Sequence, residues 1–118
     1  MKSKHKGLKR LLKATQNSWQ GFKAAWKLEE AFRQECVMAL ILIPIALFLN
    51  ITPLEKLLLI VSVIFVLIVE LFNSALEAIV DRFGAEFHEL SGRAKDMASA
   101  CVTLSLVLMV IVWVVIVL

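Results

Sequence analysis

Long apolar stretches restrict this chain to a small set of folds. Residues 98–118 contain no charged side chain, and about 20 apolar residues are enough for a helix to cross the hydrocarbon core of a bilayer. Residues 57–80 form a second apolar stretch and residues 36–51 a shorter third one. With 60% hydrophobic residues, the chain is too apolar for a typical soluble domain. We therefore predict one all-α membrane domain over residues 1–118. Its transmembrane helices are expected at about 35–51, 55–81 and 93–118.

The segment before these stretches has the pattern of a helix that lies on a membrane. Large apolar residues recur at helical spacing from Leu8 to Trp26, whereas most of the lysines fall elsewhere on the helix. A basic amphipathic helix with Trp and Phe on its apolar face is typical of the headgroup region. We predict an amphipathic surface helix over about residues 7–34.

The distribution of basic residues predicts the orientation in the membrane. Nine of the thirteen Lys and Arg residues precede Cys36, and Arg82, Arg93 and Lys95 lie between the second and third apolar stretches. The link between the first two stretches carries only Lys56. By the positive-inside rule, the N-terminal segment and the second link are cytoplasmic.

A row of acidic and amide side chains interrupts the second apolar stretch. Asn73, Glu77 and Asp81 follow Glu70 by three, seven and eleven residues. At about 100° per residue, these offsets keep all four on one helix face, within roughly 60° of Glu70. Ionisable groups at membrane depth are expensive, and they normally face a bundle interior or a wet cavity where they have a function. We predict a functional site at the cytoplasmic end of this helix.

Several uses are open to such carboxylates. They can bind Mg²⁺, act as a general base, or relay protons. A proton relay should continue across the bilayer, yet the apolar interiors of the first and third stretches contain no ionisable group. Acidic residues with interleaved bases suit a metal-bound polyphosphate better. With four glycines and no GxxxxGK[ST], a P-loop and a Rossmann fingerprint are excluded. A non-enzymatic cation-binding membrane protein remains an alternative, and no nucleic-acid partner is expected.

Local signals predict how the helices are connected. Thr52 is a candidate N-cap for the second membrane helix, with Pro53 at its first position. Residues 83–91 break the apolar pattern and are expected to form a loop, with the third membrane helix starting at Ser91 or Gly92. The two cysteines lack metal-ligand spacing and are expected to be free thiols.

Four segments resemble a known family. They are SWQGFKAAW at 18–26, EAFRQE at 30–35, VELFNSALEAIVDR at 69–82 and EFHELSGRAKDM at 86–97. Together they resemble the small integral-membrane diacylglycerol kinase of bacteria. The resemblance implies a homotrimer in the bacterial inner membrane, with active sites that are shared between subunits. It also implies transfer of the ATP γ-phosphoryl group to the hydroxyl of diacylglycerol, with Mg²⁺, to give phosphatidic acid.

The resemblance implies a role for individual residues. Glu70 matches the general base, with Asn73 beside it, and Glu29 and Glu77 match the metal-binding carboxylates. The nucleotide positions are Arg10, Asn17, Glu29, Glu77, Glu86, His88, Lys95 and Asp96. The lipid-substrate positions are Arg10, Ser18, Trp19, Lys23, Trp26, Ala31, Phe32, Arg33, Gln34, Glu35, Glu70, Ser99 and Trp113.

Some positions depart from the family pattern or have no assigned role. Asn17 stands where a tyrosine is expected near the nucleotide, and Lys23 stands where arginine is common. Asp81 matches the family without a clear role, and an ion pair with Arg82 or Lys95 is its simplest interpretation. Undecaprenol kinases share the acidic helix and the Ala-Lys-Asp element, so a polyprenol is the alternative acceptor.

Overall fold

The computed structural model describes residues 5–83 and 89–118, and these residues form four helices. They are α1 (His5–Leu28), α2 (Glu30–Phe48), α3 (Pro53–Arg82) and α4 (Glu89–Val117). The helices α2, α3 and α4 are each long and apolar enough to cross a membrane. The predicted all-helical class and the three membrane-crossing helices are therefore confirmed. Neither cysteine is disulfide-bonded.

The membrane helices pack around α3. This helix contacts both α2 and α4, and the α3–α4 contact is the more extensive of the two. Val63 and Val66 of α3 are fully buried, with Ala39 of α2 and Met109 of α4 packed against them. Small and β-branched side chains at this position let the three backbones approach closely. The result is a narrow apolar core that fixes α3 relative to both neighbours.

The turn between α2 and α3 is closed by local hydrogen bonds. The Thr52 hydroxyl accepts from the Glu55 backbone N–H at 3.2 Å, and the Glu55 carboxylate accepts from the Thr52 N–H at 3.0 Å. Pro53 follows at the first helical position. The predicted cap is confirmed, and Glu55 completes it as a capping box. Lys56 Nζ donates to the Leu47 carbonyl at 2.7 Å and satisfies one free carbonyl of α2.

The boundary between α1 and α2 lies earlier than the sequence pattern indicates. Helix α1, predicted as a surface helix that extends to residue 34, ends at Leu28, and α2 begins at Glu30. Glu29 between them has an extended backbone, with φ −117° and ψ 109°. The Arg33 guanidinium donates to the carbonyls of Trp26 and Lys27 at 2.7 and 3.3 Å. These two bonds satisfy carbonyls that the end of α1 leaves without partners, and they hold the corner closed.

The shape of the molecule shows that α1 projects sideways. The longest helix, α3, has 30 residues and is about 45 Å long. The molecule measures 49 × 46 × 22 Å, so a second direction is as long as the bundle. A three-helix bundle is not that wide, whereas α1, with 24 residues, spans about 36 Å. We conclude that α1 extends laterally from one end of the bundle.

The start of α4 also differs from the expectation. Glu89, the first residue that the structure describes after position 83, is already helical, so the helix includes residues before Ser91.

Much of the apolar surface of the membrane helices is uncovered. Only Ser105 and Met109 are buried in α4, and residues such as Leu104 and Val115 are about 70% exposed. A monomeric soluble protein rarely exposes contiguous apolar surface of this extent. These faces therefore need lipid or another protein surface to cover them.

Candidate active site

The predicted acidic face lies on the C-terminal half of α3, and Glu70 is its most buried member. Its side chain is 2% exposed. Asn73 Nδ2 and Ser74 Oγ donate to the same Glu70 oxygen, Oε2, at 3.4 and 3.5 Å. Both bonds are long, and long bonds are weak. Glu70 is thus a buried carboxylate held loosely by its own helix.

A second carboxyl group faces Glu70 from α2. Glu35 is 9% exposed, and its carboxyl group is close enough to that of Glu70 for the two groups to interact electrostatically. No amide, hydroxyl or cation of the described residues donates to Glu35 Oε1. The sequence analysis placed Glu35 among the lipid positions and did not pair it with Glu70. No sequence signal joins the two residues, because their contact depends on how α2 and α3 pack.

The side-chain amide oxygen of Asn73 is another polar atom of this site that is without a hydrogen-bond partner among the described residues. This atom, Oδ1, is buried. Buried polar atoms are nearly always paired, so this amide oxygen is available to accept a hydrogen bond or to bind a cation. Its neighbour Ser74 was not predicted, although its place four residues after Glu70 puts it within reach on the same helix face.

Glu29 occupies the corner between α1 and α2 and lines a cleft of about 460 Å³. The α3 wall of this cleft is formed by Leu71, Ser74, Ala75 and Ala78. Ser18 lines it from α1. The cleft is mostly apolar, with Glu29 as its one charged side chain among the described residues. Glu77 is half-buried but does not line the cleft.

A larger groove runs between α1 and α2 and has a volume of about 900 Å³. It is mostly apolar and has cations at its edge. Its lining residues are Trp19, Phe22, Lys23, Trp26, Lys27, Phe32, Arg33, Cys36 and Leu67. Five of the predicted lipid positions therefore meet here. Lys23 Nζ lies 5.8 Å from the centre of the Trp19 ring, a cation–π distance.

A salt bridge links the C-terminal end of α3 to the first turns of α4. Lys95 Nζ is 2.9 Å from Asp81 Oδ1, and both side chains are substantially exposed. This is one of the two ion pairs that the sequence analysis considered for Asp81. Glu77 lies close enough to Lys95 for an electrostatic attraction. Asp96, the next residue, is exposed.

Some predicted positions are not brought to this region within one chain. Arg10 and Asn17 are exposed on α1, and Arg10 lies about 27 Å along the helix from Leu28. Ser99 is exposed on α4. Trp113 packs against the apolar core, about 27 Å along α4 from Lys95. Of the remaining lipid positions, Ala31 and Gln34 are exposed at the start of α2. Glu86 and His88 lie outside the described residues.

Comparison with known proteins decides the family. The family model for prokaryotic diacylglycerol kinase matches residues 16–117. This chain belongs to that family. A diacylglycerol kinase of Escherichia coli K12 is 52% identical over 107 residues, which are 91% of this chain and 88% of the relative. A diacylglycerol kinase of Haemophilus influenzae is 53% identical, with 91% of each chain covered. A diacylglycerol kinase of Helicobacter pylori is 46% identical, covering 93% of this chain and 86% of the relative.

Proposed function

We propose that this protein is a lipid kinase that transfers the γ-phosphoryl group of ATP to the hydroxyl of diacylglycerol, giving phosphatidic acid. Family membership supports the reaction. The observation that carries the assignment of the site is a carboxyl group, Glu70, buried in an apolar membrane helix beside a second carboxyl group. A group so costly to bury is retained for function.

In this reaction Glu70 is the general base. The lipid hydroxyl oxygen forms a bond to the γ-phosphorus, the bond from that phosphorus to the bridging oxygen breaks, and ADP leaves with the electron pair. The hydroxyl proton passes to Glu70. Phosphoryl transfer otherwise depends mainly on positioning and on neutralising the phosphate charge.

The carboxylates of the site fit Mg²⁺ by their chemistry. This ion takes oxygen ligands and is commonly held by one or two carboxylates together with phosphate oxygens and water. Glu29, Glu77 and the unpaired Oδ1 of Asn73 are donors of this kind. Among the described residues, no group of three His, Cys, Asp or Glu side chains forms a complete metal cage. When bound, Mg²⁺ would neutralise charge on the phosphates.

The nucleotide is proposed to bind at the cytoplasmic ends of α3 and α4. Lys95 supplies a cation for the phosphates, and Asp96 lies next to it on the first turns of α4. Arg10, Asn17, Glu86 and His88 complete the nucleotide set that the family resemblance implies. The lipid is proposed to enter through the 900 Å³ groove, whose apolar walls suit acyl chains and whose Lys23 and Arg33 suit a polar headgroup.

The proposed assembly is a homotrimer with shared active sites. The uncovered apolar faces of α2 to α4 support an oligomer. So does the separation of Arg10 and Trp113 from Glu70 within one chain, because residues that lie apart in one subunit can meet across an interface. Chemical cross-linking of purified protein, followed by mass measurement of the cross-linked species, tests for three chains.

We also propose an orientation in the bacterial inner membrane, with α1 and the active site on the cytoplasmic side. The six apolar residues Leu8, Leu11, Leu12, Trp19, Phe22 and Trp26 are all exposed on α1. They fall on one helix face, away from most of the lysines. A laterally projecting helix with such a face suits the headgroup plane.

The deciding experiment is an assay of radiolabelled γ-phosphoryl transfer from Mg-ATP by detergent-purified protein, with diacylglycerol and undecaprenol offered together. Label in phosphatidic acid is expected. Label mainly in the polyprenol would keep the site and change the substrate. Label in neither lipid, from folded protein, would refute kinase activity.

A further inference from the structure

Glu29 is the single residue between α1 and α2, and its side chain does not cap the helix that it precedes. Its backbone is extended, whereas Leu28 ends α1 and Glu30 begins α2. It stands at the N-cap position of α2, yet its carboxylate makes no capping hydrogen bond. The usual N-cap side chains are shorter than glutamate and reach the first turn of their helix. Glu29 lines the 460 Å³ cleft instead, together with Ser74 and other residues of α3.

A single extended residue between two helices acts as a joint. The backbone of one residue has two soft dihedral angles, and those of Glu29 set the direction of α1 and of the Glu29 side chain together. Packing contributes little to holding this joint. The α1–α2 contact is less extensive than the α2–α3 and α3–α4 contacts, and Ala25 is the one buried residue of α1 among the described side chains. The position of Glu29 in the cleft therefore depends on hydrogen bonds at the corner.

Arg33 makes hydrogen bonds on both sides of this joint. One guanidinium nitrogen, Nη1, donates to the Trp26 carbonyl at 2.7 Å and to the Lys27 carbonyl at 3.3 Å. The Arg33 backbone N–H donates to the Glu29 carbonyl at 3.2 Å. Hydrogen bonds from a charged donor are stronger than those between neutral groups, and a guanidinium is not deprotonated in proteins. Arg33 therefore ties the last turn of α1 to the first turn of α2, with Glu29 between them.

Arg33 also lines the 900 Å³ groove, where the lipid is proposed to enter. A guanidinium has five N–H donors, and only Nη1 bonds to the carbonyls of α1. A contact with the lipid and a bond to the corner are therefore compatible, but they have different consequences. Loss of a lipid contact raises the KM for the lipid, whereas loss of the corner bonds displaces Glu29.

We propose that Arg33 is a positioning residue for Glu29: by bonding to the last carbonyls of α1, it fixes the one-residue corner and holds the Glu29 carboxylate in the cleft, where that carboxylate can bind Mg²⁺. This inference rests on the proposed kinase function and deepens it. Arg33 acts through the backbone, so it does not need to touch the metal ion or the nucleotide.

Substitutions of Arg33 in purified full-length protein test this role through the Mg²⁺ requirement. Arg33→Met keeps an unbranched side chain and removes every donor. The Mg²⁺ concentration for half-maximal activity should then rise by about tenfold or more, as expected when a group that orients a metal ligand is lost. The KM for the lipid should stay within about threefold of wild type, because binding of the lipid is not the step that changes.

Two further variants separate the hydrogen bonds from the charge. In Arg33→Lys, one ammonium nitrogen can replace the one guanidinium nitrogen that makes both bonds, so the Mg²⁺ requirement should stay within about threefold of wild type. Lys27→Met is the matched control, because it removes a cation from the same groove and keeps the backbone carbonyl that Arg33 binds. Its Mg²⁺ titration should match that of the wild type.

A double variant shows whether Arg33 acts through Glu29. Two residues that act through one another have effects that do not add. Arg33→Met combined with Glu29→Gln should therefore need no more Mg²⁺ than Glu29→Gln alone. If Arg33→Met does not give folded protein, Arg33→Gln takes its place. This variant keeps a shorter, uncharged donor and should raise the Mg²⁺ requirement by about threefold or more, because the bond loses its charge assistance.

Metal binding can also be measured without turnover. Mn²⁺ is titrated into the protein with a non-hydrolysable ATP analogue, and electron paramagnetic resonance measures the free ion. The Kd for Mn²⁺ should rise by about tenfold or more in Arg33→Met, and it should match the wild-type value in Lys27→Met.

The contrary outcomes are distinct. Wild-type Mg²⁺ titration and Mn²⁺ binding in folded Arg33→Met would overturn the proposal, and so would increases that multiply in the double variant. A raised KM for the lipid with unchanged Mn²⁺ binding would overturn it as well, and would show that Arg33 contacts the lipid. An unchanged titration in Glu29→Gln would overturn the metal role of Glu29 and this inference with it. The kinase function itself fails only if the wild-type protein transfers no phosphoryl group.

Discussion

Two glutamates on α3 have opposite surroundings. Glu55, in the first turn, accepts from the Thr52 backbone N–H at 3.0 Å and from the Thr52 hydroxyl at 3.1 Å. Glu70 accepts only bonds of 3.4 and 3.5 Å from its own helix, and it faces another acid. The hydrogen-bonding needs of Glu55 are met locally and at the surface, whereas those of Glu70 are incompletely met in the interior.

The difference separates a structural acid from a functional one. A capping glutamate contributes to stability through bonds that any helix of this pattern forms. A buried acid with weak donors contributes little to stability, and replacing it by a neutral residue of the same size can even increase stability. Activity and stability should therefore respond oppositely to substitutions at the two ends of α3.

The largest expected effect is the loss of activity in Glu70→Gln. Removing the general base should lower kcat by about 10²–10⁴-fold. The free energy of unfolding should not decrease, because the substitution relieves a contact between two acids. Steady-state kinetics and thermal unfolding in detergent measure the two effects, with Glu55→Gln as the control at the other end of the helix. Activity near wild type in Glu70→Gln would contradict the distinction between a functional Glu70 and a structural Glu55.

The next effect concerns the metal. Glu29→Gln and Glu77→Gln should each raise the Mg²⁺ concentration needed for half-maximal activity by about tenfold or more, because each removes a carboxylate that suits the ion. A Mg²⁺ titration at saturating ATP measures this. Glu30→Gln is the matched control for Glu29, since Glu30 is the exposed acid next to it. Unchanged titrations would remove both residues from the metal site.

A smaller effect is expected at the exposed ion pair. Asp81→Asn should raise the KM for ATP by about threefold, because Lys95 loses the partner that restrains it, and exposed pairs have modest energies. The difference should shrink at high salt. Glu89→Gln, which removes another exposed acid from the start of α4, controls for the change in charge. A KM for ATP that is equal in both variants would show that Asp81 does not restrain Lys95.

The smallest effect on activity is expected at Thr52. Thr52→Ala removes the cap of α3 and should lower the free energy of unfolding by about 1 kcal/mol, without changing kcat. Urea or thermal unfolding measures the first quantity and the phosphoryl-transfer assay the second. A fall in kcat would show that the far end of α3 is coupled to the acidic face.

The parts of the fold that could be predicted are those determined by local sequence. The three helices long and apolar enough to cross a membrane, and the Thr52 cap, depend on neighbours in the chain, and the structure confirms them. The end of α1 could not be predicted, because it depends on bonds from Arg33 back to carbonyls six and seven residues earlier. The Glu35–Glu70 contact depends on the register between two helices. The roles assigned to the site residues remain predictions.

The bonds from Arg33 to the end of α1 help to determine how far Glu35 lies from α1. They fix the corner at which the lateral helix meets the bundle. Glu35 lies five residues into α2, about 8 Å along the helix axis from that corner. If α1 lies in the headgroup plane, as proposed above, this corner sets the depth of Glu35 in the bilayer. We expect acceptors to be chosen partly by how deep their hydroxyl lies in the bilayer, and a series that differs only in the spacer between the hydroxyl and the acyl chains would measure it. The enzyme would then select its acceptor by the depth of the hydroxyl in the membrane as well as by molecular shape.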